Sequence, residues 1–289
     1  MVRKLLRAAL IASVAITVST PANATHAWGN YHWARVGTSA TAPLSLKVNF
    51  AITGAWTTSV NGAFNDWNGR SVLSLGTPIT SSANARRCSP ITGQILVCNY
   101  SYGPRGWLGL ASINIDSANH ITAGTTKLND SYFNTATYNK PEWRSLVACQ
   151  EIGHDFGLGH QDEVFDNVNL GTCMDYTNAP KGGTVGGFNY GQSNEHPNPH
   201  DTEELDIIYG GHTDTYTTTL AATNFGVRQV GHAVPQALPD SGNTAAEWGT
   251  PVHRDGKGRA DLFVRPLPNG GKMLTHVFWA LDAKGNEAN

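Results

Sequence analysis

The run Gln150-Glu151-Ile152-Gly153-His154-Asp155-Phe156-Gly157-Leu158-Gly159-His160 restricts the fold more than any other part of the chain. A helix is expected from Pro141-Glu142, because proline suits the first helical turn, where its missing N–H costs nothing. It should run through Trp143, Leu146 and Val147 to about Phe156, where Gly157 and Gly159 end it. Residues four apart share a helix face, so Gln150 and His154 point together. Glu151 lies about 100° further round the axis. Glycine tolerates the backbone needed for a sharp reversal, so Gly157 can return His160 toward that pair. The spacing therefore asks for a buried helix, a tight turn and a returning loop that bring four polar side chains to one place.

Such a group suits metal-assisted hydrolysis. Two helical ligands and a third from beyond the turn hold an ion, which lowers the pKa of its bound water. A carboxylate beside them removes and then returns the proton. Any one of these histidines alone reads best as an ordinary core or surface residue. With this chain's composition, the Glu-x-x-His-x-x-Gly-x-x-His register arises by chance in roughly a few of a thousand such sequences.

The first residues bear on where such chemistry would operate. Arg3, Lys4 and Arg7 precede an apolar run from Ala8 to about Val18, and Ala22-Asn23-Ala24 gives a small-residue cleavage pattern. This reads as a signal peptide over 1–24, with export and a mature chain from Thr25. The run is too short to span a bilayer comfortably, and no later segment is long and apolar enough, so no membrane partner is expected after cleavage. A formal net charge of -2 with 15% charged residues gives no reason to expect nucleic acid. Export permits disulfides. The four cysteines allow three pairings. Cys88 and Cys98 flank a hairpin-like piece and should pair locally, which leaves Cys149 with Cys173.

Along the chain, Leu44, Leu46, Val48, Phe50 and Ile52 alternate as a half-buried strand. Val60, Phe64 and Trp67 form a helical stripe stopped by Gly69. Strands are expected at 71–76, 107–116 and 120–128, a strand or hairpin at 88–100, and 181–191 reads as a glycine-rich loop. Asn198-Pro199 should cap a helix carrying Leu205, Ile208 and Tyr209 and ending at Gly210-Gly211. The order implies an α/β (α+β) arrangement: a mixed twisted sheet packed on the helix that bears Glu151, over residues 25–211. A linker over 212–247 and a small β-rich C-terminal unit over 248–289 should follow.

Residues 150–160 resemble the zinc signature of the metzincin clan, H-E-x-x-H-x-x-G-x-x-H, with Gln150 where the first histidine stands. Thr172-Cys173-Met174-Asp175-Tyr176 resembles the Met-turn that follows it in that clan. The likeness covers about 43–211. It implies a metzincin-like zinc endopeptidase of matrixin or astacin type. Gln150, His154 and His160 would hold Zn2+, Glu151 would act as general base and then acid, Met174 would floor the ion, and Tyr176 would be an extra ligand or transition-state donor. The Cys149–Cys173 bond would brace the helix against the Met-turn. The substrate implied is an extended peptide paired with an edge strand near 107–113. A glutamine oxygen is a harder, weaker zinc donor than imidazole, so weaker metal retention with hydrolysis kept is expected.

The rival reading is a catalytically inactive metzincin-like binding module. Asp162, Glu163, Asp166 and Asn167 form an acidic cluster of the kind calcium favours, although a solvated loop is the commoner meaning of such residues. His196, His200 and His212 read as surface histidines, and His253 and His276 stand in no motif.

Overall fold

The structure is a computed structural model, and it describes residues 31–35, 40–214, 238–268 and 270–281. The expected signal peptide, residues 215–237 of the expected linker and residues 282–289 of the expected C-terminal unit lie outside the described residues.

Thirteen strands and five α-helices are described. In order they are β1 (His32–Trp33), β2 (Leu44–Ser45), β3 (Lys47–Ala51), α1 (Thr57–Trp67), β4 (Leu73–Ser74), β5 (Ile79–Thr80), β6 (Gln94–Tyr100), β7 (Trp107–Ile115), β8 (His120–Asn129), α2 (Asp130–Phe133), α3 (Pro141–His154), β9 (Thr184–Val185), β10 (Phe188–Asn189), α4 (Pro199–Tyr209), α5 (Ala245–Trp248), β11 (Thr250–Arg254), β12 (Ala260–Pro266) and β13 (Lys272–Trp279). The principal sheet runs β11-β12-β13-β7-β8-β6-β3-β5, with β1 added beside β8. Strands β8, β6, β3 and β5 are parallel, whereas β7, β13, β12 and β11 join antiparallel. This is the mixed α/β layering expected.

The periodicities explain the layers. Val60, Phe64 and Trp67 of α1 are buried, and Trp67 Nε1 donates to the Cys149 carbonyl at 3.1 Å, seating α1 on α3. Helix α3 is buried along its whole C-terminal half, from Leu146 to His154. It is therefore sandwiched between α1 and the sheet, and its polar residues point into protein rather than solvent. The helix ends at His154, two residues before the expected Phe156. The expected strand over 43–52 divides in two, since β2 pairs with β4 in a separate ribbon while β3 joins the main sheet. Within 181–191, Gly186 and Gly187 turn a short β9–β10 hairpin. Helix α4 carries a full capping box from Asn198 and Asp201.

The C-terminal strands bring the one departure that matters for function. β13 pairs with β7 from Lys272↔Ile115 to Trp279↔Trp107. The segment expected as an open edge, 107–113, thus has β13 on one side and β8 on the other. Trp248, Phe263 and Val277 also pack with Tyr102, Trp107 and Leu110, so the C-terminal unit shares the core of the main sheet. The sequence hides this because an edge strand and a covered strand carry the same alternation. Their difference lies in a partner about 160 residues away, as in Ser112 Oγ meeting Thr275 Oγ1 at 3.1 Å.

Candidate metal centre

Gly157 makes the turn that the spacing demanded. Its φ is +92°, and a Cβ there would lie 2.5 Å from the Tyr31 carbonyl oxygen. The turn is pinned by Trp33 Nε1, which donates to the Asp155 carbonyl at 2.8 Å, and by Tyr209 Oη, which donates to the Phe156 carbonyl at 2.7 Å. The chain then reverses, and the rings of His154 and His160 come to 4.7 Å between centroids.

Each ring is oriented through Nδ1. His154 Nδ1 donates to the Leu158 carbonyl at 2.7 Å, and His160 Nδ1 to Glu163 Oε1 at 3.1 Å. Both contacts place the lone pair on Nε2, the tautomer a metal requires. The side chain of Gln150 is wholly buried, and its Oε1 and Nε2 have no hydrogen-bond partner among the described residues. Glu151 Oε2 is in the same condition. Buried polar atoms left unmet cost about 1–3 kcal/mol each. An amide oxygen, a carboxylate and two imidazoles with Nδ1 engaged are donor types that zinc accepts, although the compact donor set around His160, with atoms within 4.8 Å of one another, is the one it forms with Glu163 and Asp261.

The neighbours of these residues are closely packed. A Cβ on Gly153 would fall 2.7 Å from Met174 Sδ, so Met174 lies directly beneath the helix turn joining Gln150 to His154. A Cβ on Gly109 would fall 2.7 Å from Glu151 Oε1, so β7 passes against the carboxylate. Cys149 is bonded to Cys173, and Cys88 to Cys98. Gln161 N donates to the Met174 carbonyl at 2.6 Å, and Thr172 Oγ1 to Asp201 at 2.6 Å, tying the 172–176 turn to the loop and to α4. Burial, and then the charge of Asp155, holds the Glu151 carboxyl well above the usual range. A cation bound beside it would reverse that bias.

Three further residues reach the site from the C-terminal strands, and no motif announced them. His276 on β13 faces Ala111 of β7 and stacks on His154, with centroids 4.0 Å apart and planes 13° from parallel. Burial, then the neighbouring His154, His160 and His253, keeps His276 well below its ordinary pKa and so neutral. Imidazole lone pairs lie in the ring plane. Two nearly parallel stacked rings cannot both aim at one ion, so His276 caps His154 in this arrangement. Asp261 on β12 accepts from His253 Nδ1 at 2.8 Å and from Tyr176 Oη at 3.3 Å. Tyr176 packs its ring 4.3 Å from that of His160 but commits its hydroxyl to Asp261.

In the acidic cluster beyond His160, Asp166 is exposed and the other three members are half-buried. Asp162 accepts from Val164 N at 2.6 Å and from Asn167 Nδ2 at 2.8 Å, and Glu163 orients His160. His196 is an exposed residue paired with Asp66 at 2.7 Å. Among the described residues, no helix is long and apolar enough to cross a membrane.

No protein-family model matches this sequence, and no curated protein matches it significantly.

Proposed function

We propose that the chain is a secreted, metzincin-like zinc endopeptidase, and that its own strand β13 keeps it closed. The observation that carries this reading is the buried, unmet Gln150 amide beside the oriented His154 and His160, with Glu151 adjacent. Gln150, His154 and His160 would hold the ion. Zinc, when bound, would polarise water and lower its pKa toward neutrality. Glu151 would take the proton from the attacking water and return it to the leaving amine. Tyr176, once its hydroxyl leaves Asp261, is placed beside His160 to donate to an oxyanion. An extended peptide would pair with β7 in the antiparallel sense that β13 adopts. The two disulfides agree with an exported protein.

The alternative, a catalytically inactive binding module, is supported by the almost complete burial of Glu151, against which β7 passes. The two readings part on an assay of the chain from residue 25. Zinc is measured by elemental analysis, and cleavage of unstructured peptides is followed with and without chelator while urea is raised below the unfolding transition. Low urea populates local openings first. Chelator-sensitive cleavage that rises with urea supports the latent peptidase. Zinc present with no cleavage at any urea concentration supports the binding module, and absence of zinc at the Gln150 site overturns the peptidase.

A further inference from the structure

At the end of β8 far from Glu151, three histidines surround one carboxylate oxygen. Asp214 Oδ1 lies 3.3 Å from His32 Nε2, 3.5 Å from His120 Nε2 and 3.8 Å from His212 Nε2. These residues come from separate segments: β1, the first position of β8, and the stretch just past α4. Parallel pairing of His32 with His120 fixes two of them side by side. We propose that this cluster is a second, structural zinc site, independent of the centre on α3.

The distances argue for it. His32 Nε2 is hydrogen-bonded to Asp214 Oδ1 at 3.3 Å, while His120 and His212 stand at 3.5 and 3.8 Å, beyond the usual hydrogen-bond range of about 2.7–3.2 Å. Around a tetrahedral zinc, with bonds of about 2.0–2.2 Å, neighbouring donor atoms lie about 3.3–3.5 Å apart. The Asp214 contacts fall at or slightly beyond that edge length. His32, His212 and Asp214 form a compact donor set, each offering one atom within 4.8 Å of the others. His120 approaches the same oxygen at 3.5 Å but stands outside that compact set, on its rim. The His32 ring stands nearly perpendicular to both His120 and His212, at 87° and 89°, with centroids 5.1 Å away in each case. In-plane lone pairs from perpendicular rings can converge, unlike those of the stacked His154 and His276.

The surrounding contacts prepare the donors. The backbone N–H of Arg35 donates to Asp214 Oδ2 at 2.7 Å, which turns Oδ1 toward the imidazoles. His212 Nδ1 donates to the Gly210 carbonyl at 3.3 Å, leaving the lone pair on Nε2. That Nε2 is shielded from solvent and has no hydrogen-bond partner among the described residues. Side-chain exposures of 10–36% leave the cluster reachable by an ion from solvent. Zinc here would fasten β1 and the segment after α4 to β8. β1 contributes the Trp33 indole that holds Asp155, and Tyr31 just before it abuts Gly157.

The test uses the full chain with its disulfides formed, equilibrated with zinc and then dialysed. Variants are His154→Ala/His160→Ala, Asp214→Asn and His212→Ala, the last at a partly exposed position where folding is least at risk. Zinc per chain and thermal midpoints with zinc or chelator are recorded. The proposal expects His154→Ala/His160→Ala to keep about one zinc and a zinc-dependent midpoint. Adding His212→Ala or Asp214→Asn to it should weaken that zinc at least tenfold and remove the midpoint shift. No zinc in His154→Ala/His160→Ala, or zinc unaffected by His212→Ala and Asp214→Asn, would overturn the second site without touching the reading of the first. Equal zinc in the unaltered chain and in His154→Ala/His160→Ala, lost only with His212→Ala or Asp214→Asn, would do the reverse.

Discussion

Replacing Gly157 with alanine separates two physical demands that meet at the turn. One is the backbone: φ is +92°, a conformation that costs a residue with a Cβ about 1–2 kcal/mol. The other is contact. The new methyl would sit 2.5 Å from the Tyr31 carbonyl oxygen, inside the normal van der Waals distance by nearly 1 Å. That oxygen belongs to backbone, and the next two residues are pinned by the His32↔His120 and Trp33↔Ile121 pairings. Overpacking against a fixed group costs a further 1–3 kcal/mol or so. The sum is about 2–5 kcal/mol, or a thermal midpoint lower by roughly 5–20 °C for a chain of this size. Gly258→Ala supplies the control, because φ is +79° there and no heavy atom lies within 4 Å of the added methyl. It should lose only the backbone cost, about 1–2 kcal/mol. Urea unfolding of both variants gives the difference directly. If Gly157→Ala costs no more than Gly258→Ala, the close approach of β1 to the turn is not what holds His160 in place.

Other outcomes follow from single contacts. Removing the Cys149–Cys173 bond by double alanine substitution opens a loop with a separation of 24 residues and should cost about 3.5 kcal/mol in urea unfolding; an effect below about 1 kcal/mol would show that this brace is redundant. Burial pushes the Asp175 carboxyl up from 3.8 to about 6, against hydrogen bonds from Leu170 N and Asn194. The folded state therefore holds this proton more tightly than the unfolded one, and the resulting stability is complete below about pH 4 and lost as the pH rises through about 6. Asp175→Asn keeps an acceptor and should flatten that slope, by at most about 3 kcal/mol at 1.36 kcal/mol per unit; an unchanged pH dependence of the urea midpoint would refute it. Gln150→His should tighten zinc at the α3 site about tenfold or more in competition with a chromogenic chelator, since imidazole is the better donor. Unchanged affinity would mean residue 150 does not touch the ion.

Much of the architecture could be read from local pattern. The 3.6-residue stripe of Val60, Phe64 and Trp67, the proline at the start of α3 and the Asn198–Asp201 cap each act within a few residues, and each forms as its chemistry dictates. The meeting of His154 with His160 was legible for the same reason, because one glycine turn decides it. Long-range pairing was not legible. His276, His253 and Asp261 sit among alternating residues of ordinary strands, and only the β7–β13 register brings them to the centre. His212 read as a surface histidine, yet it turns Nε2 toward Asp214 two residues on, where His32 and His120 converge from strands far away in sequence. The covered edge of β7 is the costliest omission, because it changes how a peptide would reach Glu151.

The most direct measurement is cleavage by Glu151→Ala set beside the unaltered chain, both opened by the same sub-denaturing urea and both assayed for zinc. The account predicts that the unaltered chain cleaves unstructured peptide in a chelator-sensitive manner, and that Glu151→Ala keeps its zinc while losing about a hundredfold or more of the rate, as expected on removing a general base. Cleavage undiminished in Glu151→Ala would contradict it.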